Sequence, residues 1–119
     1  MSERRRRAWR RGRRGETLCV WHLRLCGWRI LARNIRSAVG EIDIVARRGR
    51  IVAFVEVKAR RDAVDAAHAI GDRQRQRIAR AAASFMAGRP GLAGLDMRFD
   101  AMLVAPGRLP RRIVDAWRP

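Results

Sequence analysis

At 119 residues the chain has room for one domain of ordinary size. Its apolar share of 48% can fill a core, which excludes wholesale disorder, and its formal net charge of +17 points to a polyanionic partner without telling DNA from RNA or an acidic membrane. No run approaches the ~20 apolar residues needed to span a bilayer, and Arg24 and Arg29 interrupt the apolar stretch that follows the basic start, so the expectation is a soluble, cytoplasmic protein with no membrane partner.

Residues 1–14 carry eight arginines against Glu3, a local charge of +7 that leaves +10 for the rest. Such an arm has little to bury and is expected to be disordered until bound, or simply a solvated tail. Residues 15–26 set Leu18, Cys19, His22, Leu23, Leu25 and Cys26 at helical spacing, with Gly27 as a stop. On that helix Cys19 and Cys26 would lie about 10 Å apart, too far for a disulfide; they read as small hydrophobes in a reducing compartment.

Residues 28–35 read as a first strand and 37–40 as a turn. Strands over 41–47 and 50–60 flank Arg48-Gly49, a short hairpin signal. After a loop over 63–71 comes a helix over 72–87, with Asp72 a candidate cap and Gly88 a stop. A loop over 89–94, a strand over 97–105 ended by Pro106, and a short strand over 111–117 complete the chain. The order helix, three strands, helix, two strands predicts an α/β fold: one mixed sheet of about five strands flanked by helices. Residues 1–14 form the arm and 15–119 the domain.

The hairpin carries the chemistry. With Arg48-Gly49 as its two-residue turn, one face pairs Ala46 with Ile51, Ile44 with Ala53 and Ile42 with Val55, all apolar. The other pairs Val45 with Val52, Asp43 with Phe54 and Glu41 with Glu56, and Lys58 follows on that side. Carboxylates then fall within about 5–8 Å of one another. Facing like charges destabilise a sheet, and a divalent cation with oxygen ligands compensates them; the bland alternative is an exposed sheet end with ordinary salt bridges. Lys58 is the only lysine beside 27 arginines, a hint that an amine is required at that position. Glu41 is either an outer acid of the same cluster or a strand-start residue.

An acid followed thirteen residues later by Glu-x-Lys, here Asp43 and then Glu56-Val57-Lys58, resembles the PD-(D/E)XK nuclease superfamily. Gly15-Glu16, residues 30–34, Gly40-Glu41-Ile42-Asp43, residues 54–60 and Arg98-Phe99-Asp100 occur in order around it. As a set they are similar to the YraN family of small bacterial proteins, which resemble Holliday-junction resolvases; the likeness runs from about Gly15 to Trp117 and leaves the arm out. It implies a restriction-endonuclease-like fold and Mg²⁺- or Mn²⁺-dependent hydrolysis of DNA phosphodiesters, on branched or junction DNA and by a homodimer.

In that scheme Asp43, Glu56 and the Val57 carbonyl hold the metal and Lys58 orients water or neutralises phosphate. The resemblance adds Glu16 as a further site acid, against the plainer reading of favourable charge in a helix first turn. Many relatives have a lysine where this chain has residues 73–77; Gln74 shares a face with Ile78, Ala82 and Phe85, and either contacts phosphate or water or merely fringes the apolar stripe. Arg33, Arg36, Arg60, Arg73 and Arg77 are candidate phosphate contacts that position a duplex without reading its sequence. The rival reading is a DNA- or RNA-binding protein that keeps the fold without cutting; third comes a structural protein whose arm docks on another protein.

Overall fold

The computed structural model describes residues 3–59 and 70–119, with the backbone alone at 3–13. Its elements are α1 (Glu3–Leu25), β1 (Arg29–Arg36), β2 (Glu41–Arg48), β3 (Ile51–Lys58), α2 (Asp72–Ala87), a 3-10 turn (Pro90–Leu92), β4 (Asp96–Leu103) and β5 (Arg111–Trp117). Arg60 and residues 63–69 of the loop expected over 63–71 lie outside the described residues.

The sheet runs β1-β2-β3-β4-β5 in space. The first three strands form an antiparallel meander, β3 and β4 are parallel, and β5 returns antiparallel to β4. The parallel step requires a crossover, and α2 lies within it. Each face of the sheet has its own core. On one, Cys19, Val20 and Leu23 of α1 pack with Ile44, Ala46, Ala53, Val55 and Met102. On the other, Ile78, Ala81, Ala82 and Phe85 of α2 pack with Val45, Val52, Phe54 and Phe99. From Ile44 to Ala46 and from Val52 to Val55 successive residues go to opposite cores, as period-two alternation requires, while Ile42 joins Val45 on the α2 side. Phe54 stacks on Phe99 and meets Phe85 edge-on, and Phe99 stacks on Trp117 with centroids 4.3 Å apart. The mixed five-stranded sheet with its helices is a single α/β domain and agrees with a restriction-endonuclease-like fold.

Three details differ from the sequence expectation. The helix expected over 15–26 begins at Glu3, so helical backbone runs through the segment expected to be a disordered arm. Arginine is a good helix former, and an established helix extends at little cost where nucleating a new one is expensive. At its other end α1 closes as the sequence implied: Gly27 N–H donates to the Arg24 carbonyl and Trp28 N–H to the Leu23 carbonyl, the paired bonds of a Schellman cap. Second, α2 is capped by Gly71 with no side-chain bond, which puts Asp72 inside the first turn as favourable charge and not as the cap.

Third, the hairpin turn is one residue further on. Arg48 pairs with Ile51, Ala46 with Ala53 and Ile44 with Val55, so the loop is Gly49-Arg50. A tight hairpin loop with a positive φ at its first central position favours glycine there. Gly49 has φ +61, whereas the expected loop would have asked this of Arg48. Partners therefore move by two residues, and the apolar side chains stay on their expected faces except Ile42, which joins the core of Val45, Val52 and Phe54.

Candidate metal and phosphate site

The register correction tightens the acid pair. Regular pairing of β2 with β3 ends at Ile44 and Val55, and continuing it by one residue sets Asp43, not Glu41, across from Glu56. There Asp43 Oδ2 accepts the Val57 N–H at 2.8 Å, in place of a backbone carbonyl. Asp43 and Glu56 are close enough for each carboxyl to act on the acidity of the other. Lys58 Nζ lies 3.5 Å from Glu56 Oε1, and Gln74 Nε2 donates to the same oxygen at 3.2 Å. Asp43, Glu56, Lys58 and Gln74 thus come together, drawn from two strands and one helix.

Glu41 is not the partner of Glu56 that the expected register made it, but it starts β2 and lines the edge of the cleft. It is exposed, sits opposite Arg36 on β1, and makes a loose ion pair with it at 4.0 Å. Its charge still acts on Asp43.

Burial governs the acidity of the pair. Withdrawal from water pushes the Glu56 carboxyl up to about 7, with the neighbouring Asp43 charge adding to the rise and Lys58 opposing it. Asp43 moves in the same direction by burial, held back chiefly by the Val57 N–H and then by Lys58. Two adjacent carboxylates in such a place hold a proton between them or a cation. They are the residues that could bind a divalent ion; among the described residues no group of three His, Cys, Asp or Glu side chains forms.

Glu16 lies apart from the cleft. It is buried to 7% exposure on α1, and Arg33 Nε reaches its Oε1 at 3.4 Å while Arg33 Nη2 reaches Thr17 Oγ1 at 3.2 Å. The charges of Asp43 and Glu16 both act on Cys19, whose thiol burial pushes up to about 12. Glu16 therefore stands on the α1 side of the sheet, and Arg33, expected to contact phosphate, pairs with it.

On the α2 side the acids open into a cleft of about 520 Å³, lined by Glu41, Asp43, Glu56, Gly71, Arg73, Gln74, Arg77 and Ile78. Arg73 and Arg77, one helical turn apart, supply cations opposite the carboxylates. The cleft depends on Gly40, which the sequence offered as the end of a turn and as one residue of the family pattern, with no role assigned to it. A Cβ on Gly40 would stand 2.6 Å from the Arg77 carbonyl oxygen, so α2 can approach β2 this closely only over a glycine. Ser37 fixes that turn: its N–H and hydroxyl both donate to the Gly40 carbonyl, and the Gly40 N–H donates back to its Oγ.

Asp100, part of the sequence pattern, serves the core and not the cleft. Arg98 grips it with two bonds of 2.8 and 2.9 Å, and the Asp115 N–H donates to it at 2.9 Å. This ties β4 to β5 where Asp115 takes a positive φ of 52°.

The sequence profile described as "Uncharacterised protein family UPF0102" matches residues 15–104. The chain belongs to the UPF0102 family, also called YraN. A UPF0102 protein of Parvibaculum lavamentivorans is 52% identical over 112 residues, covering 94% of this chain and 84% of its own. One from Paramagnetospirillum magneticum is 54% identical over 115 residues, 93% of this chain and 89% of its own. One from Maricaulis maris is 47% identical over 119 residues, 100% of this chain and 94% of its own. The UPF0102 match begins at Gly15, the residue that opens the α1 segment packed on the sheet, and it includes each of Glu16, Gly40, Asp43, Glu56, Lys58, Gln74 and Asp100.

Proposed function

We propose that this UPF0102 protein is a divalent-metal-dependent endonuclease that hydrolyses DNA phosphodiester bonds, with branched or junction DNA as its substrate form. The observation that carries the reading is the Asp43–Glu56 pair, two half-buried carboxyl groups brought together beside Lys58, each acting on the acidity of the other. Their hard oxygen donors and surplus negative charge suit Mg²⁺ or Mn²⁺, with the Val57 carbonyl as a third protein ligand. A bound cation supplies an acidified water and neutralises charge developing on the phosphate.

The chain's own groups fit the remaining tasks. Val57 N–H and the Gln74 amide hold Asp43 and Glu56 in fixed orientations, so the carboxylates meet a cation without first reorganising. Lys58, in the same cluster, places an ammonium where it can orient the attacking water or balance a phosphate oxygen. Arg73 and Arg77 line the opposite wall of the cleft and offer charge to neighbouring phosphates. Acids alone would repel those phosphates, and this weighs against simple binding without a metal. A junction has two strands to cut, so action by two copies is part of the proposal.

The test is cleavage of branched, flapped and linear DNA in Mg²⁺ or Mn²⁺. The proposal expects cutting that falls by about two orders of magnitude or more in Asp43→Ala and in Lys58→Ala, with DNA binding kept. Binding with no cutting on any substrate in either metal would leave a nucleic-acid-binding protein in place of an enzyme.

A further inference from the structure

The outer line of α1 has no part in the site. Leu18, Trp21 and Leu25 follow one another at three- and four-residue steps, with exposures of 50%, 57% and 86%. The opposite line, through Glu16, Cys19, Val20 and Leu23, is buried against the sheet. By the same helical step the backbone brings positions 14, 11, 7 and 4 in line with these residues, and each is arginine. One line of a 23-residue helix thus reads as four arginine positions followed by Leu, Trp and Leu. Arg24 adds a guanidinium 5.5 Å from the centre of the Trp21 ring.

This arrangement selects among occupants. A second copy pairing along the line would set arginine at four of its seven seam positions, a poor coiled-coil seam. It would also bring together two segments of charge +7. An interfacial membrane helix needs a continuous apolar face with its cations on the other side, whereas here cations and apolar residues divide one line end to end. An exposed indole beside a row of cations, about one per 5.4 Å turn, matches a strand whose phosphates meet arginine and whose unpaired base stacks on the ring.

We propose that this face of α1 binds single-stranded nucleic acid, with Trp21 as the stacking platform and the arginine segment as its backbone clamp. The proposal rests on nucleic acid being the partner, but not on hydrolysis. It also gives the residues that precede the UPF0102 match a task of their own.

The experiment is fluorescence anisotropy of a labelled single-stranded oligonucleotide with the full chain in chelator, where no cleavage complicates binding. Trp21→Ala is expected to weaken binding about tenfold and Trp21→Phe to restore most of it, while a blunt duplex of the same length changes less than about twofold, since its bases are already stacked. Arg7→Glu with Arg11→Glu is expected to weaken both ligands and to lower the single-strand salt slope by about 0.7 for each phosphate that an arginine no longer neutralises. Melting curves of each variant confirm that the fold is kept, which the exposure of Trp21 leads us to expect. Equal single-strand affinity of the wild type and Trp21→Ala would overturn the proposal. So would Trp21-dependent binding to anionic phosphatidylserine vesicles without binding to the oligonucleotide, or a Trp21-dependent dimer in sedimentation. Failure of DNA cleavage in metal leaves this experiment unaffected, so the two readings can fail separately.

Discussion

Glu56 keeps its proton to about pH 7 because it is buried beside Asp43, whereas in the unfolded chain it titrates near 4.5. Between those values the folded state binds more protons than the unfolded one, so stability is greatest at the acid end and falls as pH rises through 7. Asp43, raised by the same burial, adds in the same direction. Metal-free protein is therefore expected to melt about 5 °C lower at pH 8 than at pH 6, and Glu56→Gln, which has no charge to bury, to lose most of that difference. Melting curves across this window in chelator check it; an equal slope in the variant would place the proton elsewhere. The two cysteines offer a second residue-level test. Cys19 is buried with its thiol pushed up to about 12, and Cys26 is exposed. Alkylation of the native protein followed by peptide mapping is expected to mark Cys26 alone, and both only after unfolding.

The elements show which parts of the site were readable beforehand. Apolar alternation fixed the faces of the hairpin near its turn, because moving the turn from Arg48-Gly49 to Gly49-Arg50 shifts partners by two residues, and only Ile42, at the far end, changes side. The direct partner of Glu56 was not readable, because it depends on which residue takes the positive φ. The bounds of α2 followed from its apolar stripe, and Gln74 from its place on that stripe. The start of α1 did not, since a run of arginines carries no apolar period to read. Gly40 looked like turn punctuation, and its closeness to the Arg77 carbonyl emerges only once α2 is docked. Gly40→Ala is expected to push α2 away from β2 and cost about 1–3 kcal/mol, read from the denaturant midpoint and from weaker cation binding in the cleft. Asp100→Ala would strand the Arg98 guanidinium, whose side chain is 18% exposed, and cost about 3–5 kcal/mol without any specific effect on the cleft.

At the scale of the whole molecule, charge and chemistry are divided among distinct surfaces. The domain buries a core on each face of the sheet, and the acid pair lies where β2 and β3 cease to pair, beneath α2. Among the described residues no helix is long and apolar enough to cross a membrane. Composition had already given the single domain, and the order of the expected elements gave the mixed sheet. The crossing of charges at the cleft, arginine on one wall and carboxylate on the other, required the fold. The most direct test of this account is calorimetric titration of Mn²⁺ into metal-free protein at pH 7 in two buffers of different ionisation heat. It predicts one bound ion per chain, with release of a fraction of a proton as Glu56 yields to the cation, and loss of both signals in Asp43→Ala. No binding, or binding that Asp43→Ala leaves unchanged, would contradict it.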